Sequence, residues 1–206
     1  MVAMTSAATP KGTRRRTRLI EAAGALLLEG GFDAVRHRAV ADRANLPLAS
    51  TTYYFASLED LMAEAAMYVT RSADEAIAAR GAALTRRRRG VGATAEALSE
   101  VFIGAQTPIE DLAARYELIA LAPRYPLLRD VVEERRHHVS AMHAEVLEKS
   151  GRRSDPHHVG WLIAVEDGAV VGTLGCAETS PFEAARAALN GVVDILAPVS
   201  YTHLRA

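Results

Sequence analysis

Apolar residues recur along this chain at three- and four-residue spacing. Nowhere do they alternate over a stretch long enough for a strand. Leu19, Ile20, Ala23, Leu26 and Leu27 line one face of a helix expected over 14–29. Gly30-Gly31 ends it, and Phe32 follows as a buried anchor. A short helix over 36–43 turns Val40 and Ala44 inward. Another over 47–54 opens on Pro47, which suits a first helical position because no N–H is needed there. Ser57-Leu58-Glu59-Asp60 reads as a capped start with acids in the first turn, opening a fourth helix to about residue 80. A fifth helix lies near 94–104. Thr107-Pro108-Ile109-Glu110 and Ser180-Pro181-Phe182-Glu183 each spell a capping box with proline at its first helical position, opening the sixth and ninth helices. Pro123 and Pro126 precede a seventh helix running to about 150, and Asp155-Pro156 opens an eighth. No 20–50-residue repeat is present. The expected fold class is all-α with about nine helices. A head over 1–56 precedes a larger helical body over 57–198, and a tail over 199–206 has no amphipathic pattern.

Composition adds bounds. At 206 residues and 50 % hydrophobic, the chain is long and apolar enough to bury a real core. Its single cysteine, Cys176, excludes a disulfide within the chain and a four-cysteine zinc site. Residues 1–12 lack the apolar run of a signal peptide, so a cytoplasmic protein is expected, with no membrane partner. Charge is uneven. Residues 1–43 hold eight Lys and Arg against four Asp and Glu, so the acidic excess behind the overall −1 lies in the rest. That fits a nucleic-acid-binding end on a separate body, or a solvated basic terminus. Arg86, Arg87, Arg88 and Arg89 invite a nucleic-acid reading too. A helix rising 1.5 Å per residue carries them roughly 35 Å from the start of the fourth helix, so a solvated joint over 81–92 is the better reading.

The second and third helices, joined by Ala44-Asn45-Leu46, make a helix-turn-helix. Such a turn needs a residue at positive φ, and asparagine tolerates that best after glycine. The short helix after it can enter a major groove. Tyr53-Tyr54-Phe55 follows, with hydroxyls suited to phosphate oxygens and a phenyl ring turned inward.

On these residues the chain resembles the TetR family of bacterial transcriptional regulators. The matching stretch runs from Thr17 to Leu61 and includes Leu19-Ile20-Glu21-Ala22-Ala23, Gly31-Phe32, Val40-Ala41, Ala44-Asn45-Leu46, Ser50-Thr51-Thr52-Tyr53-Tyr54-Phe55 and Glu59-Asp60-Leu61. The resemblance implies a homodimer. Its first three helices would bind a double-stranded DNA operator, and a body of later helices would bind a small-molecule effector and dimerise. Effector binding would move the fourth helix and part the two heads. The chain departs from the family pattern at Arg36, where Ser or Thr is usual, at Thr52, where a tyrosine is frequent, and at Leu58, where a lysine is common.

In the head, Leu48, Ala49, Ser50 and Thr51 are expected at base edges, and Arg38 at guanine or phosphate. Arg36, His37, Thr52, Tyr53 and Tyr54 are phosphate candidates, with Arg14, Arg15, Arg16 and Arg18 flanking the groove.

In the body, the eighth helix is apolar on all sides save Glu166, Asp167 and Thr173, which suits a buried helix better than a membrane span. Gly160, Ala164, Gly168, Gly172 and Cys176 recur every four residues, a line that admits a close helix neighbour. Phe182, Ala185, Leu189, Val192 and Leu196 form a stripe on the ninth helix. Together these suggest a four-helix dimer interface. Glu166 and Asp167 fit either a solvent edge, with Arg186 as an ion-pair partner, or a carboxylate facing a ligand cavity. Phe102, Tyr116, His138, Met142, Trp161 and Glu166 are the candidate ligand contacts, with Met67, Ile119 and Val165 nearby. The same residues would also serve as plain core. His137, His138, His143, His157 and His158 show no convincing metal spacing, so no metal and no cofactor is expected.

The reading that follows is a ligand-responsive repressor released from a palindromic operator by a small apolar molecule, and not an enzyme. One alternative is an all-helical metal- or cofactor-binding protein or enzyme without DNA binding, although no phosphate loop, nucleophile elbow or His-Glu-x-x-His is present. Another is a dimeric adaptor whose head has lost DNA affinity.

Overall fold

The computed structural model describes residues 9–176 and 178–200, and these form nine α-helices with no strand among them. They are α1 (Pro10–Ala34), α2 (His37–Arg43), α3 (Leu48–Tyr54), α4 (Leu58–Ala83), α5 (Val91–Phe102), α6 (Ile109–Leu121), α7 (Pro126–Lys149), α8 (Pro156–Val171) and α9 (Pro181–Leu196). The chain divides into two compact units. One is built on the residues through Ser72 together with Ala114–Glu133, the other on Ala73–Ala113 and the residues from Glu134 onward. The division falls inside α4, beyond the boundary expected at residue 56.

The first unit holds α1, α2 and α3. Its core gathers Leu19, Ala23, Leu27, Phe32, Val35, Val40, Phe55 and Leu61. α1 begins earlier than expected because Thr9 caps it, its hydroxyl accepting from the Gly12 N–H at 3.1 Å. Its regular path breaks at the glycine pair: Gly30 has φ −147° and Gly31 φ 66°. Glu117 then reaches this break and accepts the Phe32 N–H at 3.2 Å. The turn between α2 and α3 places Asn45 at φ 50°, as the motif requires. Ser57 caps α4 through its hydroxyl, which accepts from the Asp60 N–H at 3.0 Å.

In the second unit, α9 packs against both α5 and α8. Arg152 is the polar keystone there. Only 4 % exposed, it donates to Thr94 Oγ1 at 2.8 Å, Asp194 Oδ1 at 2.7 Å and the Ala197 carbonyl at 2.8 Å. Val199 bridges to Arg152 in antiparallel fashion, and the Ser200 N–H donates to the Gly151 carbonyl at 3.0 Å. The first two residues of the expected tail are therefore tied to the α7–α8 turn; residues 201–206 lie outside the described residues.

The arginine run corrects a second expectation. Arg86, Arg87 and Arg88 are exposed, but Arg89 is buried. The Arg87 and Arg89 N–H groups donate to the Lys149 and Ser150 carbonyls at 2.8 and 3.0 Å. The Arg89 guanidinium donates to the carbonyls of Thr85 at 2.8 Å and Lys149 at 3.2 Å. The segment is a staple across the end of α7, because those last helical carbonyls have no intrahelical donor. Ser180 precedes α9 without forming a side-chain cap bond, so only the proline of that expected capping box acts as anticipated. Asp155 does cap α8, its Oδ1 accepting from the His157 and His158 N–H groups at 2.9 and 3.1 Å.

Two outcomes follow. Gly31→Ala forces a Cβ into the left-handed region and to 2.8 Å from Glu117 Oε2. It should destabilise the head by about 1–2 kcal/mol in denaturant melts, whereas an unchanged midpoint would contradict the strained turn. The His158 and then the His157 backbone N–H bonds, with both imidazoles nearby, hold the Asp155 carboxyl below the ordinary carboxylate range. Its contribution is full above the unfolded-state value near 4 and fades as pH falls through the lower folded one. Asp155→Ala should therefore lower the melting temperature by a few degrees at neutral pH and by progressively less in acid.

Candidate functional site

The exposed face of α3 is built from Leu48, Ala49, Thr52 and Tyr53, which recur at one- and three-residue steps and so share one side of the helix. Leu48 is 49 % and Tyr53 59 % exposed. Tyr54 is half-buried and meets Tyr53 edge to face at 4.9 Å, while Phe55 lies in the core. Ser50 is half-buried. Thr51 does not belong to this face. It is fully buried, its hydroxyl donating to the Leu48 carbonyl at 2.8 Å, so it holds α3 to the core instead of meeting a base.

The basic residues separate into two groups. Arg16 pairs with Glu64 and lies 5.4 Å over the Phe55 ring. Arg18 donates to the Ala44 carbonyl at the end of α2, and Arg43 pairs with Glu29. These hold the head together, which corrects the expectation that Arg16 and Arg18 flank the groove. Arg36 precedes α2 without capping it, and turns back to the Phe32 and Val35 carbonyls at 3.3 and 3.0 Å and to Asp33 at 3.1 Å. Arg14, Arg15 and Arg38 are exposed, and His37 is half-buried with Nδ1 lacking a hydrogen-bond partner.

On α8, one stripe is buried and the opposite one is bare. Val159, Leu162, Glu166 and Val170 face the core. Gly160, Trp161, Ala164, Gly168, Val171 and Gly172 are exposed. A Cβ placed at Gly160 or Gly168 would meet nothing within 4 Å, and the same holds for Gly191 on α9. Trp161 is 57 % exposed and leans on His158, so it does not line an interior cavity of this chain. On α9 the expected interface stripe is reversed. Phe182, Ala185, Leu189 and Leu196 are buried inside this chain. The open side is Ala187, Gly191 and Ile195, the last 74 % exposed. The larger side chains went to the core because the stripe of greatest volume gains most from burial; spacing alone does not say which face looks inward.

Glu166 is 2 % exposed, which removes the solvent-edge reading, and Arg186 pairs with Glu183 and Glu96 instead. Its Oε2 lies 3.0 Å from Nε2 of His143, itself fully buried. His143 Nδ1 is 2.8 Å from the Val139 carbonyl, which can only accept, so Nδ1 carries a hydrogen. A further proton must then sit between Nε2 and Oε2. The Phe102 ring stacks on the imidazole at 3.5 Å between centroids and 16° between planes. Glu166 Oε1 is buried and has no hydrogen-bond partner. Phe102 and Glu166 are thus brought together through His143, a residue the sequence reading connected only with metals. The signal was available: an acid on the buried stripe of an apolar helix requires a partner, and histidine is a candidate.

The remaining ligand candidates are more scattered. Met142 is half-buried, and its Cε sits where a Cβ on Gly81 would lie, 2.6 Å away. His138 is half-buried with Nε2 lacking a partner. Tyr116 and Ile119 fall in the first compact unit, while Phe102, His138, Met142, Trp161 and Glu166 fall in the second. Among the described residues no group of three or more His, Cys, Asp or Glu is placed to hold a metal, and no helix is long and apolar enough to cross a membrane.

Comparison with known proteins bears on both units. Residues 19–65 match the family described as bacterial regulatory proteins, tetR family, and residues 89–195 match the tetracyclin repressor-like C-terminal domain. No curated protein matches the chain. Among solved structures, the multidrug binding protein EbrR in complex with imidazole is 34 % identical, covering 91 % of this chain and 97 % of its own, with a TM-score of 0.68. EbrR with proflavin is 33 % identical over 86 % of this chain and 98 % of its own, with a TM-score of 0.67. A TetR-family member from Streptomyces coelicolor A3 is 31 % identical over 86 % and 96 %, with a TM-score of 0.60. With a helix-turn-helix head, a matching body and these relatives, the chain belongs to the TetR family of DNA-binding transcriptional regulators.

Proposed function

We propose that this regulator is a homodimeric repressor that leaves a palindromic operator when a small, flat, largely apolar cation binds its body. The observation that carries the effector class is kinship: the relative EbrR is a multidrug binding protein solved with proflavin and with ethidium, at 33 % and 32 % identity. Operator binding rests on α3, whose exposed Leu48, Ala49, Thr52 and Tyr53, with half-buried Ser50 beside them, offer methyl groups and hydroxyls to a major groove. Exposed Arg38, with half-buried His37 and Tyr54, supplies the phosphate contacts, whereas the Arg36 guanidinium is engaged by the Phe32 and Val35 carbonyls and Asp33.

The second copy fits the bare faces of α8 and α9. Glycine inside an exposed helix costs up to about 1 kcal/mol relative to alanine. Gly160, Gly168 and Gly191 have empty space where a Cβ would stand, so nothing within the single chain requires them. A close-packed helix from another copy does. Such an interface would also cover Trp161, Val171 and Ile195.

Release then requires that the effector prefer the head spacing that cannot span the two half-sites. A tenfold loss of operator affinity needs a coupling of about 1.4 kcal/mol. The testing experiment is footprinting on DNA upstream of the protein's own gene, followed by titration with ethidium. A protected palindrome that opens with dye is expected; a protected site indifferent to apolar and cationic compounds alike would refute effector control.

Light scattering should give a dimer for the native protein, and Gly168→Arg should give folded monomers, since the arginine meets nothing within its own chain. A dimeric Gly168→Arg would place the interface elsewhere. Tyr53→Phe should weaken binding to all duplexes alike, by about 0.5–1.5 kcal/mol, because the lost bond is to phosphate. Ser50→Ala should instead change the preferred sequence, as read by competition between operator variants.

A further inference from the structure

The buried pair in the second unit is incomplete in one respect. Glu166 is nine-tenths and more buried, and only one of its two carboxylate oxygens is bonded. Leaving such an acceptor dry is costly, so this oxygen is a point where a donor, whether water or a ligand N–H, is stabilised. No described side chain supplies one. Ser99 is fully buried with an unpartnered Oγ, and it lies three residues before Phe102, on the same side of α5. Phe102 presents an aromatic surface stacked on His143. Met142, next in sequence to His143, fills the space over Gly81 with its terminal methyl, and a thioether side chain re-packs easily. The imidazole that pairs with Oε2 thus carries an aromatic ring stacked on its face, while Oε1 of the same carboxylate is left as a buried acceptor.

We propose that Glu166 Oε1 is the polar anchor of the effector site and accepts a hydrogen bond from a cationic, aromatic N–H donor. This rests on the effector reading above and sharpens it: charge alone does not suffice, and the ligand must carry an N–H. With Nδ1–H on the Val139 carbonyl and one further proton between Nε2 and Oε2, the His143–Glu166 pair has no net charge. A cation without an N–H would gain little from such a pair. A charged N–H donor gains a short, charge-assisted bond to the free oxygen.

Two flat acridines of equal charge separate these cases: 9-aminoacridinium, which carries N–H groups, and 10-methylacridinium, which carries none. Binding to the intact protein is followed through dye and Trp161 fluorescence. The wild type should bind 9-aminoacridinium at least about tenfold more tightly, the worth of one charge-assisted bond. Glu166→Gln keeps a carbonyl oxygen available at that position and should keep the preference. Glu166→Leu should bring the ratio to near one while leaving 10-methylacridinium affinity within about threefold. A parallel readout needs no substitution: the side-chain carboxyl carbon of Glu166 in carbon-13-labelled wild type should shift with 9-aminoacridinium and not with 10-methylacridinium. Equal binding of the two dyes by the wild type, an undiminished ratio in folded Glu166→Leu, or no shift at Glu166 would overturn the anchor while leaving a dye-responsive regulator standing. Failure of both dyes to bind the wild type would overturn the anchor and the cationic effector class together.

Discussion

A carboxylate inside a helical core is the feature around which the second unit is arranged. Burying a charged group without a partner costs several kcal/mol, more than a domain of this size can readily tolerate. Glu166 is accommodated because His143 stands opposite it, oriented by the Val139 carbonyl one turn earlier on α7 and covered by Phe102 from α5. Each of these must hold its place. α8 is started firmly by Asp155, which orients the stripe of Val159, Leu162, Glu166 and Val170 toward the core. Arg152 and Arg89 tie the end of α7 to its neighbours by donating to carbonyls that helix ends leave open. Polar atoms thus fix the geometry of a unit whose bulk stability comes from apolar packing.

The head uses its charge differently from what its composition suggests. Arg16, Arg18, Arg36 and Arg43 are engaged with carboxylates or backbone carbonyls of the head itself. Arg36 stands where a serine or threonine would cap α2 and leaves that end without a side-chain cap, donating instead to carbonyls at the end of α1, while Arg18 donates to the carbonyl that ends α2. The exposed α3 face is consequently more apolar and hydroxylic than basic. Such a face offers a groove methyl groups and hydroxyls more than charge.

The helices were legible in the sequence because their signals are local. Glycine pairs, first-turn prolines and small polar caps mark ends, and apolar spacing marks faces. The turn at Asn45 and the family match carried the head. What stayed hidden depends on contacts between distant segments. Nothing near Arg89 indicates that the carbonyls of Lys149 and Ser150 will surround it. The stripe of Phe182 and Leu189 was visible, but its direction depends on whether the chain's own core or a second copy claims it first. Thr51 looked like its neighbours Ser50 and Thr52 until the helix phase buried it. The pairing of Glu166 with His143 spans 23 residues and two helices, beyond the reach of periodicity.

If the effector weakens operator binding, the two sites are linked in both directions. Binding free energies are reciprocal, so whatever factor the effector takes from operator affinity, the operator must take from effector affinity. The most direct measurement is the dissociation constant of one fluorescent cation, determined on the free protein and again with saturating operator duplex at the same salt. The account predicts weaker dye binding on the operator complex, by the same factor as the dye weakens the operator. Equal dye affinity in the two states would contradict it.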